Sequence, residues 1–111
     1  MVYVDDTKIF ITRGNTAMIN VELTLDGEPY TLAEGDRLII SVKRKYPFNN
    51  IVLDKVSTTG QFLFIVDDTI DLAFGAYDYD ITFYGIDGTV DTFITGVFEI
   101  GEEAHIDGFT R

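Results

Sequence analysis

The chain has 111 residues, 46% of them hydrophobic and including nine Phe and six Tyr, enough apolar surface for one self-contained core and too little length for a second. Nineteen acidic residues against eight basic ones give a net charge of -11, which opposes attraction to phosphate backbones and anionic lipid, so neither nucleic acid nor membrane is expected as a partner. Cysteine is absent, which excludes disulfides, thiolate metal sites and a cysteine nucleophile.

The N-terminus, Met1 to Asp6, has no basic region followed by an apolar stretch, and no run approaches the roughly 18 apolar residues of a membrane helix. A soluble chain made without a signal peptide is expected. Period-two alternation then recurs from one end to the other. Lys8 to Thr12 predicts a short strand, ended by Arg13-Gly14-Asn15, where Gly and Asn tolerate positive φ. Met18 to Leu25 predicts one half-buried strand with Ile19, Val21, Leu23 and Leu25 inward. Asp26-Gly27 signals a hairpin or turn, and Pro29 reinforces the break, leaving Tyr30-Thr31-Leu32 a brief pairing segment.

Glu34-Gly35-Asp36 is a second turn, leading into a strand over Arg37 to Lys45 with Leu38, Ile40 and Val42 inward. Pro47 and Asn49-Asn50 end it, and Ile51 to Val56 begins the next. Gln61 to Val66 carries apolar residues in both alternating sets, which predicts a strand covered on both faces. Asp67 to Leu72 resembles a helical turn or two, with Asp67 or Asp68 as N-cap and Ile70 and Leu72 inward. From Gly75, Tyr77, Tyr79, Ile81 and Phe83 alternate with Asp78, Asp80 and Thr82. Asp87-Gly88 is the type I′ hairpin dipeptide, and Thr89 to Ile100 pairs back with Val90, Ile94, Phe98 and Ile100 on one face, Phe93 and Val97 on the other, and a bulge or close approach at Gly96.

About seven strands without a ten-residue amphipathic helix predict an all-β fold: two packed antiparallel sheets in an immunoglobulin-like β-sandwich, with a small barrel as the alternative. Residues 1–100 form the single domain and 101–111 a C-terminal tail without periodicity.

Chemistry has few carriers. A Ser or Cys triad needs an oriented base, usually His, and the single His is His105 in the tail, with Ser41 and Ser57 outside any nucleophile-elbow context. The ten glycines are dispersed rather than clustered into a phosphate loop. Asp78 and Asp80 share a strand face roughly 7 Å apart, but any alternating strand with a solvated face gives that spacing. Asp67, Asp68 and Asp71, with Asp5-Asp6 or Asp87 approaching, would be the material for calcium, yet the spacing departs from an EF-hand loop. The chain is therefore read as non-enzymatic, with no catalytic, cofactor-binding or metal-binding residues. The Lys43-Arg44-Lys45 cluster is a solvated strand edge. Candidate interaction residues are Tyr46 and Phe48, flanking Pro47, and Phe93 and Val97 on the second face of the last strand.

Ile11-Thr12-Arg13-Gly14-Asn15-Thr16-Ala17, then Asp26-Gly27-Glu28-Pro29-Tyr30-Thr31-Leu32 and Gly35-Asp36-Arg37-Leu38, are joined later by Leu72 to Ile81, Asp87-Gly88 and Gly96-Val97-Phe98-Glu99-Ile100. Over nearly the whole chain this pattern resembles the N-terminal immunoglobulin-like domain of phage upper baseplate proteins. The resemblance implies a structural module of a phage or prophage tail baseplate, made in the bacterial host cytoplasm and residing in the virion tail. Its partners would be other tail or baseplate proteins and further copies of itself, and the family brings no catalytic residues to carry over. Those proteins continue into long stalk or receptor-binding regions where this sequence stops at Arg111, so a free-standing accessory protein and a piece of a longer chain are both open. The alternative function is a carbohydrate- or receptor-binding module using exposed aromatics, with calcium as a potential aid.

Overall fold

The computed structural model describes residues 2–5, 8–25, 27–44 and 50–102. Ten strands and one helical turn occur among them, in the order β1 (Val2–Asp5), β2 (Lys8–Thr12), β3 (Ala17–Asn20), β4 (Leu23–Leu25), β5 (Glu28–Tyr30), β6 (Arg37–Arg44), β7 (Asn50–Ser57), β8 (Gln61–Phe64), α1 (Val66–Thr69), β9 (Gly75–Tyr84) and β10 (Val90–Gly101). A six-stranded sheet runs β1-β2-β10-β9-β6-β7, and two small sheets pair β3 with β8 and β4 with β5. The fold is all-β and sandwich-like.

Alternation predicts the core where strands are long. Leu38, Ile40 and Val42 on β6, Tyr77, Tyr79 and Ile81 on β9, and Phe98 and Ile100 on β10 are buried, every second residue turning to one face. They share one cluster with Ile9 and Ile11 of β2, Ala17 and Ile19 of β3, and Phe62 and Phe64 of β8, so the small β3–β8 sheet covers the large one. The Phe98 ring is central, its centroid 5.8 Å from that of Phe64 and 6.3 Å from that of Tyr79.

Several expectations are corrected. The large sheet is mixed, because β10 pairs parallel with β2, Phe98 beside Ile9 and Ile100 beside Ile11. Parallel neighbours need a long crossover, and the intervening chain between the two ends supplies it. The expected strand from Met18 to Leu25 is two: β3 pairs with β8 only as far as Asn20 opposite Gln61. Val21 then donates its N–H to the Gly60 carbonyl at 2.8 Å, and β4 turns away into a hairpin with β5. Pro29 lies within β5 opposite Thr24. A proline is tolerated there because β5 is an edge strand, with no ladder bond required on its outer side.

The strand at Gln61 ends at Phe64, and its second face is bare: Phe62 and Phe64 are buried whereas Leu63 is 51% exposed. In α1 the N-cap is Ile65, and the Asp68 carboxylate reaches back to accept the Ile65 N–H at 2.8 Å. Ile70 is exposed and Thr69 takes the inward position, its hydroxyl accepting the Gly14 N–H at 2.8 Å. The β9–β10 loop is longer than a two-residue turn. Gly85 donates to the Thr89 carbonyl and Gly88 to the Gly85 carbonyl, with Gly88 at φ 96, a three-residue loop closed by a left-handed glycine.

The bulge in β10 falls at Phe93, not at Gly96, which pairs regularly with Tyr79. Thr92 opposes Thr82 and Ile94 opposes Ile81, so Phe93 is the extra residue. One extra residue inverts which parity faces inward. Phe93 and Ile94 therefore both pack against the core, while Val97 stays on the outer side and Val90 is exposed.

Candidate functional site

At one end of the sandwich the β4–β5 hairpin, the turn before β6 and the β9–β10 loop enclose a groove of about 760 Å³. Its apolar wall is made by Leu23, Tyr30, Phe83, Phe93 and Ile94, and its rim carries Glu22, Asp87 and Asp91. Tyr30 and Phe83 meet edge to face, ring centroids 6.1 Å apart at 83°, which fixes both rings.

Asp36 holds the three elements together. It is only 3% exposed, and one oxygen accepts the Tyr30 hydroxyl at 2.6 Å and the Ala33 N–H at 3.0 Å. The other accepts the Ile86 N–H at 3.0 Å, from the β9–β10 loop fifty positions on. The Tyr30 hydroxyl first, then the two backbone donors, favour the carboxylate and hold its pKa below the ordinary aspartate value. The same bond, reinforced by desolvation, raises the Tyr30 phenol above its usual range. Asp87 is likewise held low, by the Thr89 hydroxyl and then the Thr89 N–H. Next to Asp36, Gly35 adopts φ 95 and the Ile86 side chain lies where a Cβ would project. Only glycine combines that backbone with that contact.

Of the four residues singled out for contact, Phe93 lies in this groove. Val97 lies on the opposite side of the large sheet, in a shallow depression with Lys43, Asp78 and Asp80. Tyr46 and Phe48 fall outside the described residues. Sequence alternation put Phe93 and Val97 on one face, and the bulge separates them. The remaining groove residues were missed because they come from separate strand ends and loops; the one local signal was a run of turn residues around Asp36.

Two of the acidic candidates, Asp80 and Asp68, have ion-pair partners. The Asp80 carboxylate pairs with Lys43 at 3.1 Å, and Asp68 pairs with Lys55 at 2.8 Å besides serving α1. Glu99 pairs with Lys8 across the outer face at 3.0 Å. Among the described residues no three carboxylate or imidazole groups converge in a way that could hold a metal ion.

A second surface is apolar. On the outward side of the small sheet Met18 stands opposite Leu63, 46% and 51% exposed, and the chain leaving β8 adds Ile65 and Val66, also exposed. Compared with protein-family models, curated proteins and solved structures, the chain matches none.

Proposed function

We propose that this chain is a non-catalytic structural and assembly module of a phage or prophage tail baseplate, built on an immunoglobulin-like sandwich and working through protein–protein contacts. The observation that carries the reading is the outward face of β3 and β8, where Met18 and Leu63 stand exposed opposite one another, with Ile65 and Val66 exposed on the chain that leaves β8. Isolated exposed apolar residues are ordinary, but a cross-strand apolar pair continued by two further exposed apolar residues is the kind of surface that a protein partner covers. The immunoglobulin-like arrangement draws support from strand order: β10-β9-β6-β7 follows the G-F-C-C′ order of a variable-type sheet, and β3-β8 follows the facing B-E pair.

Tail modules of this kind assemble as homo-oligomers with neighbouring tail proteins, and light scattering after size-exclusion chromatography tests for it. Wild type at high concentration is expected at a multiple of 12.5 kDa, and Leu63→Arg is expected to return it to that mass with an unchanged circular-dichroism spectrum. A wild-type chain that stays monomeric and retains no co-expressed tail protein overturns the reading. The alternative of a carbohydrate- or receptor-binding module draws on the groove. There the half-buried, edge-to-face Tyr30 and Phe83 rings suit an inserted side chain better than a stacked sugar ring.

A further inference from the structure

The groove between the β4–β5 hairpin and the β9–β10 loop makes no use of the exposed face of β3 and β8, and its chemistry specifies an occupant of its own. We propose that it receives an extended basic segment of another polypeptide, one apolar side chain entering between Tyr30, Phe83 and Phe93 while flanking lysines or arginines meet Glu22, Asp87 and Asp91.

Three features of the groove lead to this partner. Its volume of about 760 Å³ lies in the range of sites that enclose a ligand, and its apolar wall is held from behind by the core. The wall is therefore preformed, and an entering side chain need not order it. Second, among the described residues every charged one lining the groove is acidic, with neither Lys nor Arg present. An anionic or nucleic-acid ligand is repelled, and a cationic one is attracted both locally and by the chain's net charge of -11. Third, Asp36 is already saturated by three internal hydrogen bonds. It fixes the walls and leaves binding to the rim carboxylates. The four carboxylates do not converge into a metal site among the described residues, whereas an apolar floor with a charged rim suits a side chain flanked by cations.

Amide shifts of the isotope-labelled full chain, titrated with the blocked pentapeptide Lys-Lys-Phe-Lys-Lys, test the proposal. Saturable shifts confined to Leu23, Tyr30 and residues 85–91 are expected, with little response to Lys-Lys-Ser-Lys-Lys or Glu-Glu-Phe-Glu-Glu. Phe93 packs against the core, so its truncation risks unfolding; charge reversal on the rim avoids that risk. Asp91→Lys is expected to weaken binding about tenfold. Asp54→Lys, the same charge change at an exposed site on β7 away from the groove, should leave it within about twofold. Absent binding, shifts scattered over the outer sheet, equal response to the serine peptide, or equal weakening by the two variants would each overturn the proposal, the last three by reducing it to diffuse attraction.

Discussion

Asp36 is the residue on which the groove depends, and its hydrogen bond from Tyr30 makes stability sensitive to pH at both ends. Asp36 has a folded-state pKa below its unfolded value, so its contribution is complete above about pH 4 and is lost as pH falls through the folded pKa. Tyr30 is shifted upward, so its contribution is complete below about pH 10 and is lost as pH rises through its folded pKa. Urea melts of wild type and Tyr30→Phe should differ most at neutral pH and converge in acid and strong alkali; a constant difference across the range would contradict the assignment. Gly60 matters at the break between β3 and β4, where its carbonyl accepts the Val21 N–H. It adopts φ 95, and a Cβ there would lie 2.9 Å from the Val21 carbonyl, so Gly60→Ala should cost about 1–2 kcal/mol from the backbone alone. A chemical-denaturation midpoint equal to wild type would show that the bend tolerates a side chain.

Among the elements, α1 is too short to be stable by itself and is held by what it touches. Its Thr69 is fully buried and its hydroxyl accepts the Gly14 N–H from the turn between β2 and β3, so one short turn of helix fastens the two layers. Thr69→Val keeps the shape and removes the acceptor, leaving the half-buried Gly14 N–H without its partner at about 1 kcal/mol. Thr69→Ser should recover part of that loss in the same denaturation assay, and if Val and Ser behave alike the hydrogen bond is not what matters. The bulge in β10 works on the same scale. By adding Phe93 it turns that ring to the groove while Thr92 stays on the outer side, its hydroxyl 2.7 Å from that of Thr82.

For the molecule as a whole, charge opposes compaction. A net charge of -11 on 111 residues repels itself, and among the described residues the ion pairs Lys8–Glu99, Lys43–Asp80 and Lys55–Asp68 are partly exposed and weak. Raising ionic strength from about 0.01 to 0.15 M shortens the screening length from about 30 to 8 Å, so Tm should rise by several degrees. A fall in Tm would mean that the ion pairs outweigh the repulsion. The same screening should favour contact through Met18 and Leu63 and weaken a cationic ligand at the groove, so the two surfaces respond to salt in opposite directions.

Strand identity was legible where a buried face recurs at every second residue, as in Leu38-Ile40-Val42 and Tyr77-Tyr79-Ile81, because that pattern follows from the pleat and needs no knowledge of partners. The turns at Arg13-Gly14 and Glu34-Gly35 were legible for an equally local reason, the left-handed backbone that glycine permits. Sequence alone thus determined an all-β chain and most of its core. Partner and parity came only with tertiary structure. The parallel pairing of β2 with β10, the break after Asn20 and the bare outer face at Leu63 depend on where another strand begins or ends. The groove depends on one inserted residue in β10 and on a carboxylate bonded across fifty positions. Period-two patterning carries neither, since pairing register is a relation between segments and not a property of either one.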